Sequence, residues 1–289
     1  MRVTNRMLLE MVQNNISRTS ERVGAIHSQL STGKRVNVPS DDPPAAATAL
    51  ALRASMAENE QYLRNIESAK EWLNATEVCL QDLEDTMVQA KTLAVRAANG
   101  TWDQQQLQSM ARQAEALLQQ AIQIGNSTLR GDYLFSGFKI DTEPFTFSGT
   151  SVDYQGDDGS MVRTIGRGIH VTVNITGSSV FPGVFEALTT LTSSLSLGQN
   201  TTLPLAELDE CIDEVSSAHG EIGAKIKRLD DTSQRYSAMQ VNLASVLSRA
   251  VDLDFAEGVS ELTAQETIYK AALAAAARIN QTSLLDYLK

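Results

Sequence analysis

The chain has 289 residues, of which 42% are hydrophobic and only 5% aromatic, and it carries a formal net charge of -11. That is enough apolar material for one to three globular domains and too much for a disordered chain. An acidic chain without a basic cluster repels a phosphate backbone, which argues against a nucleic-acid partner, and no apolar run of 18 residues offers a membrane span.

Near the N-terminus, Leu9, Val12, Ile16, Thr19, Val23, Ile26 and Leu30 recur at alternating spacings of three and four. That is a heptad seam and predicts a coiled-coil helix over residues 3–32, closed by Gly33. Arg2 and Arg6 interrupt the opening stretch, which has no apolar core or small-residue cleavage site, so no secretory signal is expected. Lys34 to Ser40 reads as an extended, flexible linker. Ser40, Asp41, Asp42, Pro43 and Pro44 then start a new helix, since Asp or Ser caps free amides and proline needs none in the first turn.

From Ala45 to Asn99 there is neither glycine nor proline, which predicts one long helix. Its apolar stripe runs through Leu63, Ile66, Leu73, Thr76, Leu80, Leu83, Met87, Ala90 and Ala94 and must be buried against other helices. Gly100 ends it, and residues 102–124 predict a returning helix. Between Asp132 and Gly177 the period falls to two, clearest where Ile169, Val171, Val173 and Ile175 alternate with polar residues. A small antiparallel β insert is expected there, with Asp158-Gly159 at a hairpin turn. Helices return to about Leu197, from Pro204 to about Asp252, and from Phe255 to Tyr287.

The last helix carries two apolar stripes. Val259, Leu262, Tyr269, Leu273 and Ala276 form one, and Ile268, Ala272, Ala275 and Ile279 the other. A face this wide suits a helix packed on more than one neighbour. The expected fold is mainly α: a long antiparallel helical rod with coiled-coil terminal helices and a small inserted antiparallel β domain. Residues 1–42 and 253–289 form a terminal assembly domain disordered in the monomer, 43–140 and 180–252 the rod, and 141–179 the insert. The expected assembly interface comprises Leu9, Val12, Ile16, Val23, Ile26 and Leu30 with Val259, Leu262, Tyr269, Leu273, Ala276 and Ile279.

Catalytic chemistry is hard to place. His27, His170 and His219 lie on separate elements without ligand spacing to Cys or carboxylates, and no phosphate-cradling or dinucleotide motif occurs. Asp153, Asp157, Asp158 and Gly159 lack the alternating oxygens of a calcium loop. Cys79 and Cys211 read as small buried side chains rather than a disulfide framework. The chain is expected to be structural, without enzymatic activity, cofactor or metal.

A resemblance adds what composition and period do not supply. Leu30 to Asn37, containing Gly33, Arg35 and Asn37, and then Asp41, Asp42 and Pro43, resembles the N-terminal motif of the flagellin superfamily. The stretches Leu93 to Thr101 and Gly223 to Leu229, and Asn242 to Asp254, are similar to its rod segments. Asp41-Asp42-Pro43, where filament flagellins have Ala after the paired Asp, resembles the superfamily's hook-associated branch. So do Tyr133 to Phe138 and the Leu284 to Leu288 ending. The resemblance implies an extracellular structural subunit of the bacterial flagellum, cytoplasmic before type III export. It also implies self-association in a ring, the first hook-associated protein and flagellin as neighbours, and a cytoplasmic export chaperone. Filament subunit is the alternative role. In flagellins the segment matching Met87 to Ala98 meets neighbouring subunits and a vertebrate immune receptor through Arg-Glu-Leu; Lys91-Thr92-Leu93 here implies weak recognition. Leu93 and Val95 are expected to matter for packing.

Overall fold

The computed structural model describes the backbone of residues 5–149, 151–198 and 204–287; the side chains at 5, 6, 8, 9 and 279–287 lie outside the described residues. Six helices occur among them: α1 (Asn5–Thr32), α2 (Pro43–Asn99), α3 (Gln104–Gly125), α4 (Gly177–Ser196), α5 (Leu205–Val251) and α6 (Phe255–Tyr287). The fold is mainly α, with small antiparallel strand pairs between α3 and α4. None of the described helices is long and apolar enough to cross a membrane. Two compact units emerge, Met1–Glu58 with Met239–Lys289, and Asn59–Ala238.

In the second unit the sequence period becomes a buried seam. On α2, Ile66, Ala69, Leu73, Thr76, Leu80, Leu83, Met87, Ala90, Ala94 and Ala97 are buried at alternating steps of three and four. On α5, Leu208, Val215, Ile222 and Leu229 are buried at steps of seven. A strict seven-residue repeat keeps the seam facing its partners only if the helices supercoil gently. Thr76 and Thr86 enter this core because each hydroxyl donates to the carbonyl four residues back, Trp72 and Asp82. Polar rungs join α2 to α5: Lys91 to Asp209 at 2.5 Å and Lys70 to Asp230 at 2.8 Å. Leu93 is 4% exposed and belongs to the core, whereas Val95 is 39% exposed, so the packing expectation applies to Leu93 alone.

Helix α3 starts on a reciprocal cap between Asp103 and Gln106 and buries Ala111, Ala114, Ala121 and Gly125, small residues that let α4 approach closely. At its end lies an aromatic cluster. Phe181 of α4 meets Phe135 and Phe145 with ring centres 4.9 Å apart in both cases, and Phe185 at 5.6 Å.

The strands form three separate pairs: β1 (Thr128–Leu129) with β2 (Asp132–Tyr133), β3 (Phe145–Phe147) with β4 (Val152–Tyr154), and β5 (Val162–Gly166) with β6 (Ile169–Thr172). The expected alternation out to Thr176 stops at Thr172 because the Asn174 side chain takes over. Its Oδ1 accepts from the Met161 amide and its Nδ2 donates to the Gly159 carbonyl. Asp158-Gly159 is not a hairpin turn, as its spacing suggested. It lies between β4 and β5, where the Asp157 carboxylate accepts from the Phe138 and Gly159 amides at 2.7 and 2.9 Å. Those two amide donors hold the Asp157 carboxyl below its ordinary value. Gly137, at φ +73°, lies against Asp157 where no side chain fits. Burial raises the thiol of Cys79, and pushes that of Cys211 up to about 11; both are free.

Candidate assembly surface

The motif residues 33–43 build a clasp between the two terminal arms of the first unit. Gly33 sits at φ +69°, a left-handed position that glycine alone adopts without strain, and it ends α1. Its carbonyl accepts from the Leu253 amide at 3.0 Å, and the backbones of Lys34 and Asp252 pair antiparallel as a single β-bridge. The Arg35 amide donates to the Val251 carbonyl at 2.7 Å, and its guanidinium donates to the Ala250 carbonyl at 3.0 Å and to Asp42 at 2.9 Å. Val36 is buried on Ala49 and Val251. The first unit therefore extends past the terminal helices into the opening of α2 and the close of α5.

Beyond Arg35, the Asn37 Oδ1 accepts from the Thr32 hydroxyl, and the Asp41 carboxylate accepts from the Asn37 and Val38 amides, both at 2.9 Å. Asp42 caps α2 by accepting from the Ala45 amide at 3.1 Å, and Pro43 fills the first helical position, where an amide would lack a partner. The segment expected to be a flexible tether is thus tied along its length, by bonds that local sequence does not announce. The Ala45 amide first, and the Arg35 guanidinium second, hold the Asp42 carboxyl below its ordinary 3.8. A depressed carboxyl favours the folded state at neutral pH, and that contribution disappears as pH falls through the folded value, below about pH 4. A carbon-detected titration should place the Asp42 midpoint below 3.8, and Arg35→Ala should move it upward. An unchanged midpoint in that variant would mean that the Arg35 guanidinium does not act on Asp42.

Antiparallel helices α1 and α6 pack together beyond the clasp. On α1, Ile26 is buried and Val12, Ile16, Thr19, Val23 and Leu30 are half-buried, which is the predicted seam. On α6 the covered positions are Gly258, Leu262, Gln265, Glu266, Tyr269, Ala272 and Ala276. Gly258 lies inside the helix, where a Cβ would press on Leu253 and Leu30. The expected interface divides. Leu262, Tyr269 and Ala276 face α1, while Val259 at 53% and Leu273 at 43% exposure flank the seam on one side and Ile268 at 51% flanks it on the other. Leu9 and Ile279 lie outside the residues whose side chains are described. Helix α6 therefore has more apolar face than α1 covers.

Among the described residues no group of three His, Cys, Asp or Glu is arranged to hold a metal. Residues 3–139 match the bacterial flagellin N-terminal helical region and residues 205–288 the bacterial flagellin C-terminal helical region. The chain is similar to flagellar hook-associated protein 3 of Salmonella typhimurium, 24% identical over 301 residues and 94% of each chain. It is also similar to flagellin of Bacillus subtilis, 25% identical over 305 residues and 97% of each chain. Among solved structures, a flagellar hook-associated protein from Vibrio parahaemolyticus superposes with a TM-score of 0.67 at 21% identity, over 73% of this chain and 100% of that one.

Proposed function

This chain belongs to the flagellin family, and on that premise we propose that it is the structural adapter subunit joining the bacterial flagellar hook to the flagellin filament. The observation that carries an assembly role is the apolar flank of α6, where Val259, Ile268 and Leu273 stand exposed beside a covered seam. Apolar side chains in rows on both sides of a helix pair stabilise little until another helix covers them. Alignment along a hook-associated protein 3, with Asp41-Asp42-Pro43 in the clasp, favours the adapter over a filament subunit. The full-length likeness to a filament flagellin is the observation behind the second reading.

In this reading the subunit leaves the cytoplasm through the flagellar type III apparatus with a dedicated chaperone. It then forms a ring between the first hook-associated protein and flagellin, outside the cell. The terminal helices order fully only when neighbouring subunits cover their flanks, because one helix pair recovers little of the ordering entropy, about 1 to 2 kcal/mol per residue. Limited proteolysis of the dilute monomer should then trim the terminal helices back to the clasp, leaving a core of about residues 33 to 253. Equal resistance of the termini would refute this coupling. Electron microscopy of a strain lacking the gene should show hooks without filaments and flagellin shed into the medium. Intact filaments would refute the adapter, and purified protein that elongates filament seeds into long fibres would establish the filament reading instead.

A further inference from the structure

We propose that Asn99 is a site of spontaneous covalent rearrangement, converting to aspartate and isoaspartate through a succinimide formed with the backbone nitrogen of Gly100. Helix α2 ends at Asn99, so the chain after it has left the helical ladder. The indole of Trp102 lies across Gly100, and its N–H donates to the Arg96 carbonyl at 3.0 Å, satisfying one of the carbonyls that the helix end leaves open. A Cβ on residue 100 would collide with the indole Nε1, Cε2 and Cζ2. Packing therefore demands glycine after Asn99, and glycine has no side chain of its own to shield its amide nitrogen.

The electrophile is equally free. Asn99 is exposed, and among the described residues no hydrogen bond holds its carboxamide. The carboxamides of Asn59, Asn65, Asn126 and Asn174 are instead tied to backbone carbonyls, and none of those residues precedes glycine. In the reaction the Gly100 nitrogen gives its proton to water or hydroxide and attacks the Asn99 Cγ. The C–N bond of the carboxamide breaks, ammonia leaves, and a five-membered imide forms. Water then opens the ring at either carbonyl, giving aspartate by one route and isoaspartate by the other. The net change consumes one water and releases one ammonia, without oxidant or reductant.

Either product places a carboxylate at the negative end of the α2 dipole, the unfavourable end for an anion. Isoaspartate also lengthens the main chain by one methylene beside the Trp102 staple. The test is incubation of the full folded chain at mildly alkaline pH, followed by peptide mapping and labelling with an isoaspartyl methyltransferase. The label should concentrate at residue 99, with tryptophan emission shifting red as Trp102 is released, and Asn99→Gln should abolish both without changing the unfolding midpoint. Labelling at Asn99 no greater than at Asn74 or Asn242 overturns the proposal. The same assay on urea-unfolded chain says why: strong label there alone means that the end of α2 protects the bond, and none in either state means that the dipeptide does not react.

Discussion

Leu273→Asp will fold with the stability of the parent chain and fail to enter the flagellar assembly, whereas Leu262→Asp will weaken the terminal helix pair itself. The two leucines lie on the same predicted stripe, yet Leu262 is covered by α1 and Leu273 is 43% exposed. A carboxylate at Leu262 has no partner in the seam and should cost about 1 to 3 kcal/mol of pairing stability. At Leu273 the same change meets water in the monomer and should fall within about 0.5 kcal/mol of neutral. Its penalty arises only when a neighbouring subunit closes over the flank. Protease trimming of the terminal helices in the purified chains, faster in Leu262→Asp than in Leu273→Asp, reads the first difference, and incorporation in a complemented deletion strain reads the second. Parental incorporation of Leu273→Asp would show that this flank is not an assembly surface.

The second large effect belongs to the core of the other unit. Phe181 is fully buried and touches three further phenylalanine rings, and Gly125 is close enough that even a Cβ there would press on Phe145 and Phe181. With no slack for collapse, Phe181→Ala should cost about 3 to 5 kcal/mol, in the upper range for a truncation that leaves a cavity. Phe138, 63% exposed, provides the contrast, since its truncation removes little buried surface. Chemical denaturation of both variants decides the matter, and a loss under about 1 kcal/mol at Phe181 would mean that the cluster repacks.

What the sequence disclosed and what it hid divide along contact range. The α2 seam from Ile66 to Ala94 was legible because helical period is a local property, and the buried residues follow it almost one for one. The Asp42 cap and Pro43 were legible for the same reason. The clasp was not, because Arg35 meets Ala250 across 215 residues of chain, and nothing near Lys34 marks that segment as anything but a linker. The expected insert holds two short pairs rather than one sheet because the Asn174 and Asp157 side chains, rather than strand partners, satisfy the intervening amides, and a third pair, β1 with β2, forms ahead of it in the segment assigned to the rod. Gly258 is ambiguous in the sequence for a different reason: glycine serves both flexibility and close approach, and only the position of Leu30 reveals which.

The clasp also sets how the molecule responds to force. Gly33 to Val36 and Val251 to Leu253 run in opposite directions, and α1 and α6 lead away from them on the same side. Tension applied to the two chain ends therefore peels the helix pair apart row by row and reaches the Arg35 and Leu253 bonds last. Peeling breaks one contact at a time and yields at low force, unlike shearing, which breaks a whole row together. Those last bonds join residues 215 apart in sequence, yet the chain between them stays closed through the α2 and α5 core that Lys70–Asp230 and Lys91–Asp209 bridge. Parting the clasp therefore frees only the terminal arms, so stretching up to and just past it should retrace, and hysteresis should begin only when that core yields.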